Sequence, residues 1–532
     1  MSISFPLKAV QPLQCLTLLG LFAAAGPLWA ETNTANSAVQ SVQSSATQMM
    51  KDLASNIEVS GFLSLRGGRI NANDVEYADV MNTDWSFSKE SVVGLQVKSR
   101  VSDKLTMSMQ VKAKTSTSGV QLEWGYLEYA FAPDLKMRAG RLRTPGYMLS
   151  EYLDVGYAYP WVQVPYEVYG WLPFSHYEGL DLRYWTSIGD ADLRINPYLG
   201  TTGNQSLTIG NIDYTDEDSQ FAGLDLQLTY DIFTLRAGYS QYWFKLKNSV
   251  LDRYVSAAVN GVQLVPDISP YISGVKIPGL TDYVKDVMVG DGNQAGTGVL
   301  ADAIATIQQD PNWATNPAES AQVALLQSEQ TSLLSQLTNY QNIPTMDGNN
   351  KGEFYGVGFS ADNGKYQIMS EVSRAMIDGV YPDVESGYVM VGYRFGNWMP
   401  NFTFAKMYTV NDKERPTIQA LQLNPLIWSD PSLAPVAAGA DAYTSGLITA
   451  MNIVRLEQQS YTLGVRWDPV PGLDVKAEAS YVDLKNGSYG FAFPSAMLEQ
   501  ADNSLLNATD SNVYPPPKNS ITAFRVAMDL VF

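Results

Sequence analysis

The sequence predicts an all-β protein: a transmembrane antiparallel β-barrel of about sixteen strands, with an inserted constriction loop and a helical outer insert. Three observations predict it. The chain ends in an alternating segment, with Phe524, Val526, Met528, Leu530 and Phe532 on one side and Ala523, Arg525, Ala527 and Asp529 on the other. Side chains of a strand alternate faces, so one face of this strand suits lipid and the other suits water. The chain opens with an export-type segment, and no later stretch reaches the roughly 18 uninterrupted apolar residues of a membrane helix, which leaves any crossing to strands. Tight turns alternate with long connections along most of the chain, as they do in barrels with short periplasmic turns and long outer loops.

The first segment has one charge, Lys8, before Glu31. Leu13 to Ala25 is apolar but too short to span a bilayer, and Gly26-Pro27-Leu28-Trp29-Ala30 follows it. Residues 1–30 read as a secretory signal with cleavage near Ala30. Cys15 is the only cysteine and lies inside it, so the mature chain has no disulfide and no thiolate metal site. Residues 31–56 are rich in Ser, Thr, Ala, Asn and Gln. Ala35, Val39, Val42, Ala46, Met49 and Leu53 nevertheless keep a heptad seam, so this periplasmic extension is either a short coiled coil or a disordered tether.

The barrel is expected over 57–532. Candidate strands lie at 57–69, 91–101, 105–115, 120–131, 135–143, 179–188, 191–200 and 219–230. The second half adds 233–245, 353–361, 365–373, 386–395, 399–408, 458–468, 472–483 and 520–532. An even number puts both ends of the barrel on one side, and a lipid-exposed sheet has to close so that every strand finds a partner. Ser102-Asp103-Lys104, Pro133-Asp134, Gly189-Asp190, Asp231, Asp362-Asn363-Gly364, Gly396-Asn397 and Pro469 to Gly472 supply tight-turn residues. Aromatics flank these turns: Tyr129, Phe131, Tyr230, Phe233, Tyr393, Phe395, Trp398 and Trp467. Amphipathic rings favour the headgroup level, and Phe532 is expected to join this lower girdle and to end an assembly-signal strand.

Two connections stand out. Residues 246–352 are too long for a simple loop. Asn316-Pro317-Ala318-Glu319 offers a helix start, and Val323, Leu326, Leu333, Leu337 and Tyr340 follow at helical spacing, so a helical extracellular insert is expected. Residues 144–178 carry Tyr147, Tyr152, Tyr157, Tyr159, Trp161, Tyr166, Tyr169 and Trp171, a poor choice for a loop in open water. Packed on the inner wall they have a home, which makes this segment the candidate constriction loop.

Gly140-Arg141-Leu142-Arg143-Thr144-Pro145, Ser150-Glu151-Tyr152-Leu153-Asp154-Val155-Gly156-Tyr157-Ala158-Tyr159-Pro160-Trp161 and Pro165-Tyr166-Glu167-Val168-Tyr169 resemble a segment of gamma-proteobacterial outer-membrane porins of the trimeric general-porin type. The resemblance is strongest over about 130–185. It implies a passive, water-filled, homotrimeric channel. The N-terminal seam is similar to the helical extension of the DcaP-like porins, a resemblance that implies a taste for dicarboxylates. The insert at 246–352 departs from compact general porins.

Alternation sorts the charges. The less apolar face carries about fourteen Arg and Lys against nine acids, so the wall leans positive although the whole chain has a net charge of -19. The candidate basic wall is Arg138, Arg183, Arg194 and Arg236, faced by Glu151, Asp154 and Glu167 of the inserted loop. Arg141 and Arg143 have outward parity unless a bulge at Gly140 or the end of the strand redirects them. Charged pore linings select ions by sign. A porin of the bacterial outer membrane for small hydrophilic solutes, with a modest preference for anions such as dicarboxylates, is therefore expected. A cation-leaning pore governed by acidic loops and a closed adhesion or receptor barrel are the alternatives. Expected partners are outer-membrane lipid and lipopolysaccharide, the barrel assembly machinery and further copies of the chain. The acidic balance argues against nucleic acid. No cofactor, metal or enzymatic activity is expected, since His176 is the only histidine and Asp213, Asp216, Glu217 and Asp218 lack the spacing of a calcium loop.

Overall fold

The computed structural model describes residues 56–532, apart from 79, 117–118, 171–174, 203–205, 210–211, 248–255, 257–258, 261, 264–275, 278–279, 291–297, 342–347, 379–382, 411–419, 454 and 495–519. The expected signal and heptad seam lie outside the described residues. The compact unit Glu58–Phe532 is the barrel.

Its wall is built from β1 (Ile57–Ile70), β2 (Val92–Arg100), β3 (Leu105–Lys114), β4 (Gln121–Ala132), β5 (Leu135–Arg143), β6 (His176–Ile188), β7 (Ala191–Thr201) and β8 (Gln220–Tyr230). It continues through β9 (Phe233–Lys247), β10 (Gly348–Asp362), β11 (Tyr366–Ile377), β12 (Asp383–Tyr393), β13 (Trp398–Val410), β14 (Gln458–Val470), β15 (Leu473–Leu484) and β16 (Ser520–Val531). Each pairs antiparallel with its neighbours, and β1 closes on β16 from Phe62↔Val531 to Ile70↔Ala523. The sheet thus satisfies its backbone without an open edge, as a lipid-exposed sheet has to.

All sixteen expected strands are present. Some run further at their outer ends: β10 starts at Gly348 rather than 353, because backbone pairing with β9 continues to Leu246↔Gly348. Gly348-Asn349-Asn350-Lys351-Gly352 carries no hydrophobic alternation, so the sequence held no signal for that extension.

The outward face is apolar. Leu95, Leu127, Leu180, Leu199, Leu224, Val357, Val372, Phe402 and Leu463 are exposed there. Below them runs a ring of aromatics beside the short turns. Tyr129 and Phe131 meet edge to face, Phe233 stacks with Phe359, and Trp398 stacks with Trp467 at 5.4 Å. Phe532 is exposed beside this ring and exchanges two backbone hydrogen bonds with Gly61 (2.8 and 3.0 Å). Among the described residues no helix is long and apolar enough to cross a membrane.

Two outer connections combine into a helical layer. The first holds helices Val299–Ile307 and Pro317–Gln341. Asn316 caps the second of these by accepting from the Ala318 N–H (3.1 Å), and Val323, Leu326, Leu333, Leu337 and Tyr340 are its buried stripe. The other connection, between β13 and β14, holds helix Ala434–Ile453. Glu329 ties the two together by accepting from the Asn424 N–H (3.0 Å) and the Trp428 indole (2.9 Å).

Candidate functional site: the lumen constriction

The connection after β5, described over 144–170, folds into the lumen. Its boundary differs slightly from 144–178, because β6 takes over at His176. Tyr147, Leu149, Tyr159, Trp161, Val164, Val168 and Tyr169 are buried. Each large side chain so buried contributes roughly 1.5–3 kcal/mol, which is what draws an aromatic loop off the mouth and onto the wall. Tyr147 meets Phe354 of β10 edge to face at 5.0 Å, and Trp161 meets Tyr388 of β12 at 5.5 Å.

Polar anchors fix the loop on several sides of the barrel. Glu371 of β11 accepts from the Met148 N–H (2.8 Å) and from the Tyr169 and Tyr388 hydroxyls. The Trp161 indole donates to Thr403 of β13 (2.7 Å). Glu478 of β15 accepts from the Val162 N–H (3.0 Å), and Lys476 of the same strand donates to the Gly156 carbonyl (2.6 Å). A Cβ on Gly156 would stand 2.1 Å from an Asp529 carboxylate oxygen, so only glycine allows this approach.

The predicted site residues separate into three groups. Arg138, Arg183, Arg194 and Arg236 stand together, and Glu151 is the loop carboxylate that joins them. Arg138 is bidentate on Asp181 and lies 3.6 Å from Glu151, which pairs with Arg183. Arg194 (3.1 Å) and Arg236 share Asp225, and Arg236 also donates to the loop carbonyl of Pro145 (3.1 Å). In direct ion pairs four guanidinium groups meet three carboxylates, with the Glu371 carboxyl also close enough to act on Arg236. Glu151 is 35 % exposed, Arg194 20 % and Arg183 15 %, while Asp181 and Asp225 are buried. Burial pushes the Glu151 carboxyl up, but Arg183, Arg138, Arg194 and Arg236 outweigh it and hold the group down at about 2.

Asp154 belongs to a second group. It pairs with Lys112 (2.9 Å), Lys114 (3.0 Å) and Arg143, and Arg143 also reaches Glu123 (2.7 Å). Glu167 lies apart from both, buried against β14, where its carboxylate accepts from Gln458 (2.8 Å). The expectation that all three loop acids face the basic wall is therefore corrected: only Glu151 meets those arginines. The loop turns as it crosses the lumen, so acids a few residues apart address different walls.

Arg143 and Glu123 are the functional side chains that alternation missed. Both have outward parity. Alternation holds through Gly140 (φ 136°) and Leu142, and the register with β6 runs unbroken to Arg143↔His176, so it is the end of β5 that re-aims Arg143 inward. A register shift opposite Gln110 and Val111 turns Glu123 in as well. Arg141 does stay on the outward side, paired with Glu178.

The remaining candidates form no site. Ser175 Oγ lies 3.0 Å from His176 Nδ1, and no described carboxylate hydrogen-bonds the ring. Asp216 is tied up by Thr202 and Ser219. The described residues hold no cluster of three metal-ligating side chains.

No family model matches the sequence, and no curated protein does. Solved structures of similar outline include OmpT of Vibrio cholerae, at 11 % identity and a TM-score of 0.43, covering 90 % of this chain and 98 % of that one. Others are an anion-selective porin from Comamonas acidovorans (10 %, 0.42, 90 % and 99 %) and the channel DcaP of Acinetobacter baumannii (10 %, 0.41, 90 % and 97 %). At such identities and scores nothing about transport passes from them to this chain. The closed wall, the girdle and the loop in the lumen speak for themselves. The fold is that of a porin-like outer-membrane barrel.

Proposed function

We propose that this barrel is a restricted diffusion channel of the bacterial outer membrane for small hydrophilic solutes, with a modest preference for anions such as dicarboxylates. One observation carries the reading: in the ion pairs around Glu151 four guanidinium groups meet three carboxylates, and the most exposed cations are Arg183 and Arg194. A narrow, poorly screened lumen concentrates counter-ions of opposite sign. The Asp154 group, with three cations against two carboxylates, leans the same way. The reading includes a homotrimer and contact with lipopolysaccharide, as barrels of this class bury apolar wall between copies. Planar-bilayer recording across a salt gradient tests it. An anion-leaning reversal potential with steady conductance is expected. A cation-leaning potential would move selectivity to the acidic outer loops.

A second reading has an observation of its own. The loop is anchored to β5, β11, β13 and β15, far around the wall, which suits a receptor barrel with a closed lumen. Absence of single-channel current in the intact protein would favour it.

A further inference from the structure

We infer that Trp185, with the guanidinium groups of Arg183 and Arg194, forms a subsite for planar aromatic carboxylates on the inner wall. The inference rests on the channel reading and names a solute class for it.

Trp185 is an odd residue for its place. Asp181 and Arg183 share its face of β6, and both point into the lumen. Trp185 therefore stands on the wet wall and not in the lipid-facing girdle. It is half-buried rather than packed away, and its indole N–H has no hydrogen-bond partner among the described residues. An apolar ring left against pore water is unfavourable unless something covers it.

Cations surround it. Arg194 lies directly across from Trp185 in the β6–β7 pairing. Arg183 is two residues away on the same face, about 6.6 Å along the strand. Lys136 Nζ sits over the indole, 5.7 Å from its centroid. Arg183 gives one amino group to Glu151 and Arg194 gives one to Asp225; the Nη1 group of each has no protein partner among the described residues. Two guanidinium groups beside a half-buried indole match a carboxylate joined to a flat ring: the carboxylate takes the free N–H groups and the ring lies against Trp185. A saturated acid of equal charge and size satisfies only the arginines.

The test compares benzoate with cyclohexanecarboxylate as blockers of chloride current through the full-length protein in planar bilayers. Benzoate is expected to half-block at about three- to tenfold lower concentration, the range that an aromatic pair supplies. Trp185→Leu should bring the two acids together, and Trp185→Phe should keep most of the difference. Arg183→Gln with Arg194→Gln should weaken both acids. Equal block by the two acids in the wild type, or a preference that survives Trp185→Leu, overturns the subsite. If the barrel carries no current, the channel reading fails, and the subsite is read by calorimetric titration of benzoate into the detergent-solubilised protein. Equal benzoate affinity in wild type and Trp185→Leu then overturns it.

Discussion

The Glu151 carboxylate, carried by the inserted loop, stands 3.6 Å from the Arg138 guanidinium on the wall of β5. Arg138 is already bidentate on buried Asp181, so Glu151 adds a second anion to one cation and draws Arg183 in as well. The loop thereby brings one carboxylate against a patch of wall arginines.

Selectivity follows from that patch. Arg183→Gln with Arg194→Gln removes two cations that touch water and should move the reversal potential toward cations. Glu151→Gln should move it toward anions. Both shifts should shrink in concentrated salt, where the screening length falls to about 3 Å at 1 M. Salt-gradient reversal potentials check this, and unmoved potentials in both variants would place selectivity elsewhere. Arg138 is a poor choice for the same test, since its removal strands Asp181 in the wall.

The pH dependence has a definite sign. The Glu151 carboxyl is held at about 2 against an ordinary 4.5. A group depressed in the folded state keeps its ion pairs above its unfolded value and loses them only as pH falls through the folded one. The Glu151 contribution to selectivity should therefore be flat from pH 7 to about pH 4. A reversal potential that titrates between pH 6 and 4 would show that Glu151 is not so held.

Glu371 should govern how firmly the loop is seated. It accepts from the Met148 N–H and from two tyrosine hydroxyls. Glu371→Ala removes the acceptor those three donors share, at roughly 1–3 kcal/mol for a buried donor left without a partner. The loop should leave the wall, with larger and noisier single-channel conductance. Conductance equal to wild type would mean that aromatic packing alone holds the loop.

Phe532 closes the seam between first and last strands through its two backbone hydrogen bonds to Gly61. Phe532→Ala keeps those bonds and removes the ring from the girdle. Surface levels should fall while export to the periplasm continues. Fractionation with surface proteolysis reads the outcome, and normal surface levels would separate this residue from assembly.

The strands were legible because alternation is a local property: Arg183, Arg194 and Arg236 face the lumen for the same reason that Leu180 and Leu235 face lipid. The helix Pro317–Gln341 was legible from its cap and stripe. Helix Ala434–Ile453 was not. Val436, Ala440, Tyr443 and Leu447 do keep helical spacing, but Ala440 and Thr444 at its fully buried centre are small or polar and dilute the apolar stripe. Arg143 and Glu123 escaped too, since the end of β5 and a one-residue register shift opposite Gln110 and Val111 each break the alternation.

By itself the sequence determined the wall: how many strands, which faces are wet, and that an aromatic loop has to leave the solvent. Only the tertiary structure decided which charges meet. Glu151, Asp154 and Glu167 lie within seventeen residues of one another in the chain, yet they end beside Arg183, Lys112 and Gln458 on three different stretches of wall. Strand parity is set by the backbone of each residue and its neighbours, and can be read along the chain. The pairing of loop and wall charges depends on the path the loop takes across the lumen, which is set by packing among residues hundreds of positions apart.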